Sequence, residues 1–297
     1  MNFNKTNTAK LDKDLSPEER AEWNAIYASY RAGSLLSGEV MGVDSYLLKE
    51  KDDNSENNEN SGKMLAVVVI PFRVKILIPE KLMWTNSDNT DNIPKNVTRN
   101  LLGAKIDFVI QEIDRENNVC VASRVAATKI KRKQFFNSRP KPKAGDLVKC
   151  NVLAVGTKTI LVEVNGFDLR LKRSELCHSI VSDFRLKYVT GETLPAVITH
   201  VSKADDELGV SVRDAKPHPY IGLQKRHPLN CRRTSVITGK YKGSIFCKLE
   251  DDYDCLCNYS EFQNDEDFEI GDRVIIIVKK YSDKSQRVFG VIVSKWR

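Results

Sequence analysis

Asp168-Leu-Arg-Leu-Lys-Arg-Ser-Glu-Leu176 and Asp254-Cys-Leu-Cys-Asn-Tyr-Ser-Glu-Phe262 align without a gap, and together they mark a repeat. Apolar and polar residues alternate in both, as on a strand that buries one face, and both close on Ser-Glu plus a hydrophobe. A looser counterpart, Val74-Lys-Ile-Leu-Ile-Pro-Glu-Lys-Leu82, keeps only the alternation and the final Glu-x-Leu.

Working outward, a second block follows each copy at a glycine. Leu102-Gly-Ala-Lys-Ile-Asp-Phe-Val-Ile-Gln-Glu-Ile113, Thr190-Gly-Glu-Thr-Leu-Pro-Ala-Val-Ile-Thr-His-Val201 and Ile270-Gly-Asp-Arg-Val-Ile-Ile-Ile-Val-Lys-Lys-Tyr281 stack with Gly103, Gly191 and Gly271 in register. Each reads as a turn entering a strand. Final strands follow at Val119–Arg124, Leu208–Arg213 and Phe289–Ser294, and opening strands precede at Gly38–Leu48, Leu147–Val155 and Thr234–Lys240. Five short strands in about 70 residues predict a small barrel, because closure removes exposed edges. The fold class is therefore mostly β: three tandem five-stranded barrels behind a short N-terminal helix.

The order Gly-Asp-x-Val, a hydrophobic strand pair, Ser-Glu-Leu, Gly-Glu/Asp and Ser-Val-Arg resembles the S-one domain. This is the OB-fold repeat of the first bacterial small-subunit ribosomal protein. Residues 145–213 carry the resemblance best, the third copy moderately and the first only with insertions. The resemblance implies single-stranded RNA as partner and translation at the small ribosomal subunit as setting. It implies the small subunit as a second partner, met through the N-terminal part.

The expected organisation is an N-terminal helix and tail (1–33), a first barrel (34–126), a basic linker (127–143), a second barrel (144–216), a linker (217–230) and a third barrel (231–297). Two Asn-rich stretches, Lys51–Gly62 and Thr85–Asn92, bury too little surface to offset ordering and read as loops inserted in the first barrel. Ser16-Pro-Glu-Glu19 combines a capping serine, proline at the first helical position and glutamate at the third, predicting a helix to about Arg31. Its stripe Trp23, Ile26, Tyr27 and Tyr30 is set to pack on the first barrel or on a partner.

Charge locates the candidate sites. The chain carries +7 overall, and the excess lies in residues 127–230, which hold 19 Lys/Arg against 10 Asp/Glu. A polyanion would meet that region first. Lys129, Lys131, Arg132, Lys133, Arg139, Lys141 and Lys143 follow one another without an acid, and a short helix within Ser123–Phe136 would present the first of them to phosphates. On the second barrel, alternation turns Arg170 and Lys172 outward, with Lys149 and Asn151 opposite and Arg213 extending the strip. OB barrels bind nucleic acid across strands two and three, so these five groups predict a groove tracking a backbone. The family pattern would add a stacking phenylalanine and histidine, where this chain has Leu161 and Lys172. In the third copy Phe246 should face outward as a base platform, although residues 250–269 hold nine acids and no Lys or Arg.

Other function classes fit less well. Seven cysteines without a C-x-x-C pair suit a reducing cytoplasm, and Cys255 and Cys257 fall on one strand face as core. No metal site or cofactor is expected. The longest apolar stretch, Ala66–Ile78, is broken by Pro71, Arg73 and Lys75 and is too short for a membrane helix, and the polar start is no signal peptide. The modules leave no room for a catalytic domain, so no enzyme is expected. The alternative to RNA binding is a protein-interaction scaffold in a mobile-element or transcription complex, favoured by the missing aromatic pair and the acidic third copy.

Overall fold

The computed structural model describes residues 15–47, 63–69, 73–84, 97–241, 243–249, 253–260 and 263–296. Both Asn-rich stretches, Lys242 and the Glu261-Phe262 end of the quoted repeat lie outside the described residues. The expected architecture is present: three five-stranded units behind an N-terminal helix.

Helix α1 (Pro17–Ala32) starts on the predicted cap. Ser16 accepts from the backbone N–H of Glu19, the Glu19 carboxylate accepts from the Ser16 N–H, and Gly33 ends the helix at φ 67°. Trp23 and Ile26 are buried in the core of the first barrel, and the hydroxyl of buried Ser29 accepts from the Ile110 N–H at 3.0 Å. Tyr30 is 53% exposed, so the buried stripe ends at Ser29 instead of continuing through Tyr30.

The first barrel comprises β1 (Leu36–Leu47), β2 (Lys63–Val69), β3 (Lys75–Pro79), β4 (Lys105–Asp114) and β5 (Val119–Ser123), closed in the order β1-β2-β3-β5-β4. The third, of β11 (Arg232–Tyr241), β12 (Ser244–Lys248), β13 (Asp254–Asn258), β14 (Arg273–Ser282) and β15 (Arg287–Lys295), closes the same way. In both, a parallel pairing of the third and fifth strands makes the seam. The second unit has β6 (Leu147–Val155), β7 (Thr159–Val164), β8 (Phe167–Lys172), β9 (Thr193–Ser202) and β10 (Glu207–Ser211) in the order β10-β9-β6-β7-β8. There the seam carries no strand ladder. Ser211 Oγ instead lies 3.5 Å from the carbonyl of Glu175 in the one-turn helix α3 (Arg173–Leu176).

The register of the three repeat glycines has a physical cause. Gly103, Gly191 and Gly271 sit at φ 81°, 85° and 101°, and their N–H groups donate to the carbonyls of Val40, Val152 and Ile237 at 2.8–2.9 Å. Each acceptor lies at a bulge in its barrel's first strand, between Val40/Gly42, Val152/Ala154 and Ile237/Gly239. A bulge bends the strand so that it can pair with neighbours on both sides of a small barrel.

Between the first two barrels, the basic segment is a helix, α2 (Arg124–Asn137), capped by Ser123 Oγ. It is no spacer. It begins at the end of β5, and Phe135 and Phe136 pack edge-on against Phe167 of the second barrel at 6.1 and 5.8 Å. The barrels also share an apolar contact. Leu153, Ala154 and Leu161, on the outside of β6 and β7, are buried in the cluster that forms the first barrel's core. At the rim of this contact the two repeat glycines meet, and a Cβ on Gly191 would lie 2.2 Å from the Gly103 carbonyl oxygen.

Candidate nucleic-acid interface

The residues singled out from the sequence fall into three settings. On α2, Lys129 and Lys133 are exposed. Lys131 and Arg132, between them, turn toward acids of the two barrels. Lys131 Nζ lies 2.6 Å from Asp107 of β4 and 2.8 Å from Glu163 of β7, which is 4% exposed. Burial works against the Lys131 charge, yet Glu163 and Asp107 outweigh it and hold the ammonium above its ordinary pKa. Arg132 donates to the Gly166 carbonyl at 2.9 Å and to Asp206 at 2.6 Å, with its guanidinium 4.5 Å from the Phe167 ring centre. Arg124, which the sequence reading missed, makes a buried two-pronged pair with Asp168 at 2.8 and 2.5 Å and also donates to the Met83 carbonyl. One face of α2 therefore clamps the two barrels, and the opposite face carries the exposed lysines.

The second setting is the outer face of the second barrel. Lys149, Arg170 and Lys172 are exposed, and Asn151 is half-buried with its side-chain Oδ1 accepting from Thr193 Oγ1 at 3.0 Å. Alternation thus places these residues outward as expected. They do not form one groove. Asn151 pairs across the sheet with Glu163 and Glu163 with Asp168, while Leu161 pairs with Arg170. Glu163 and Asp168 are covered by Lys131 and Arg124, and Leu161 is covered by the first barrel. Docked protein consequently divides Lys149 and Asn151 from Arg170 and Lys172. Arg213 lies in a one-turn helix after β10, held by Asp214 at 2.8 Å.

Phe246 provides the third setting. Ile245 and Cys247 point into the third barrel, fully buried, and Phe246 between them faces out, half-buried, as alternation requires. It opens onto a cleft of about 370 Å³ between the second and third barrels, with Leu256 and Tyr253 of the third barrel, His178 and Arg173 of the second, His218 of the connecting segment, and Arg287. The His178 and His218 rings meet edge-on with centres 4.1 Å apart, and His218 lies 6.2 Å from the Tyr253 ring. Desolvation first, then the mutual repulsion of the rings and nearby Arg213, pushes the His178 pKa down; desolvation and Arg213 do the same for His218. Both rings are therefore held toward the neutral form. The Ile180 N–H donates to the Asp254 carboxylate, tying the second barrel to β13. Of these residues only Phe246 was singled out from the sequence, because the others come from separate segments brought together by tertiary structure.

All seven cysteines are free thiols, and Cys247, Cys255 and Cys257 are core residues of the third barrel. Among the described residues no cluster of His, Cys, Asp and Glu could hold a metal ion, and no helix is long and apolar enough to cross a membrane.

Closed or nearly closed five-stranded units, each with its first strand bulged against a turn glycine, define a tandem repeat of small barrels with OB strand order. In sequence the chain is similar to small ribosomal subunit protein bS1 of Staphylococcus haemolyticus, 25% identical over 201 residues that span 65% of this chain and 47% of that one. It is also similar to bS1 of Staphylococcus saprophyticus, 24% identical over 187 residues, 60% of this chain and 44% of that one. The chain thus matches a little under half the length of these relatives. No family model matches it. A solved multidomain protein with nucleic acid binding domains from Streptococcus pneumoniae overlaps 88% of this chain and 73% of its own, at 8% identity and a TM-score of 0.21. The a/eIF2alpha–aDim2p–rRNA complex of Pyrococcus horikoshii overlaps 29% of this chain and 53% of the matched chain, at 18% identity and a TM-score of 0.23. The barrel assignment itself rests on the strand ladders.

Proposed function

We propose that this chain is a non-enzymatic, cytoplasmic single-stranded RNA-binding protein that acts in translation at the small ribosomal subunit. One observation carries the reading: Lys129 and Lys133 on the outer face of α2 continue into exposed Arg139, Lys141 and Lys143 with no acid in the run. Phosphate contacts from such a row are sequence-independent and salt-sensitive. Similarity to bS1 supports the ribosomal setting. In this reading α1 meets the small subunit through Tyr30 and Arg31, which its packing on the first barrel leaves outside. RNA-contacting residues are Lys129, Lys133, Lys149, Asn151, Arg170, Lys172, Arg213 and Phe246, while Lys131 and Arg132 hold the barrels that present them.

A gel-shift series with homopolymeric ribonucleotides at two salt concentrations tests this reading. The Lys129→Glu/Lys133→Glu chain should bind every sequence more weakly, and its salt slope should flatten by about 0.7 per lost phosphate contact. Equal affinity and slope in the variant would reject it. The scaffold alternative has its own support, since the OB face at Leu161 is occupied by another barrel of the same chain. It would be favoured if the unmodified chain bound none of the homopolymers.

A further inference from the structure

We infer that the cleft between the second and third barrels is a composite pocket for one unpaired nucleotide of a single strand, built jointly by Phe246 and Leu256 of the third barrel, His178 and Arg173 of the second, and His218 of the segment between them. The inference rests on the RNA-binding reading above and assigns it a place on the molecule. Its volume of about 370 Å³ lies at the small end of ligand pockets, a size for a single nucleotide and not for a paired helix.

The lining has the division of labour that a nucleotide requires. Phe246 and Leu256 supply apolar ground for a base, and the imidazoles of His178 and His218 add flat rings. Bases stack on such faces largely without regard to sequence. Arg173 and Arg287 are exposed at the same cleft, so cations accompany the aromatic surface where a flanking phosphate would run. Asp254 is the acid in the lining. Its carboxylate accepts from the Ile180 N–H and from Thr238 Oγ1, so it is engaged in joining the barrels and its charge is partly offset there. A protein side chain of an interaction partner would find two arginines facing it, and a phosphodiester uses both.

The cleft also accounts for the histidines. The half-buried His178 and His218 rings, edge-on to each other at 4.1 Å and beside Tyr253, form a fixed wall. Neither barrel supplies this wall alone. Nucleotide binding at the junction would therefore depend on the second and third barrels staying docked.

With four histidines in the chain, imidazole carbon–proton NMR signals of the intact protein give a direct readout. Titration with adenosine 5′-monophosphate, then with a short oligoadenylate, should shift the His178 and His218 signals and leave those of His200 and His227 in place. Oligoadenylate affinity should fall about tenfold in Phe246→Ala and in Arg173→Ala/Arg287→Ala, the loss in the former persisting at high salt. The undisturbed His200 and His227 signals verify that each variant is folded. Shifts confined to other residues, with unchanged affinity in both variants, would overturn the composite pocket while leaving RNA binding intact. Failure of the unmodified chain to bind oligoadenylate or any other homopolymer would remove both readings together.

Discussion

Replacing Arg124 with methionine tests whether the first two barrels are one structural unit. The Arg124 side chain is 2% exposed and that of Asp168 1%. The guanidinium spends two of its donors on Asp168, at 2.8 and 2.5 Å, and also reaches the Met83 carbonyl at 3.2 Å. Methionine fills much of the same volume, so little cavity forms and the cost comes from a carboxylate left buried without its counter-charge. Breaking one side of a buried pair costs about 3 to 5 kcal/mol, and the pair's attraction at an effective dielectric of 20 is of the same order, about 4 kcal/mol. That is a large fraction of an ordinary stability of roughly 5 to 15 kcal/mol.

Urea unfolding read by tryptophan fluorescence is the assay. Trp84 lies 5.2 Å from the Arg124 guanidinium and Trp23 is in the first barrel's core, so a Trp296→Phe background restricts the signal to the relevant half of the chain. The double variant Arg124→Met/Asp168→Leu should recover most of the loss, because the uncompensated charge goes with its partner. A loss below about 1 kcal/mol in the single variant would place the pair in the class of solvated surface bridges and refute the clamp.

Two further outcomes follow from the junctions. Gly191→Ala should cost about 2 to 3 kcal/mol, because its Cβ would lie 2.2 Å from the Gly103 carbonyl at φ 85°; Gly271→Ala, at φ 101° with nothing within 4 Å, should cost only the backbone strain of about 1 kcal/mol, and equal thermal shifts would contradict the close contact. His178 and His218 titrate below 6.5 when folded and near it when unfolded, so the unfolded chain binds more protons as pH falls. Stability should accordingly be full above about pH 6.5 and decline below it, and His178→Gln/His218→Gln should flatten that decline in urea midpoints measured across the range.

What was legible in the sequence is what short-range periodicity encodes. Alternation put Ile245 and Cys247 inside and Phe246 outside, Ser16-Pro-Glu-Glu19 fixed the start of α1, and the glycine register marked the turns that bond to each first-strand bulge. Contacts between barrels were not legible. Lys131 reads as one more cation in an acid-free run, yet its partners Asp107 and Glu163 lie 24 and 32 residues away, and Arg132 pairs with Asp206 at a separation of 74. A count of local charge cannot register carboxylates brought in by tertiary structure. Tyr30 stays outside for a related reason: the spacing sets it on the helix's apolar stripe, but the small hydroxyl of Ser29 takes the place against β4 and the helix ends at Gly33.

The aliphatic residue at Leu161, where the resembling repeats carry a stacking aromatic, has a structural cause, while Lys172 remains exposed. Leu161 stands on β7 where an aromatic would face a base, and here that position is 7% exposed and continuous with the first barrel's core. A large ring would overpack that contact, and a polar one would be buried without a partner, so an aliphatic residue suits the interface on volume and on hydrogen-bonding grounds. Phe246 holds the corresponding outward position on β12, and its surroundings are a cleft with two arginines instead of a sealed interface. The same face of the same module thus serves cohesion in one copy and remains open in another. In the proposed reading the first two barrels form a rigid base bearing the exposed lysines of α2, and recognition of the base itself passes to the junction with the third.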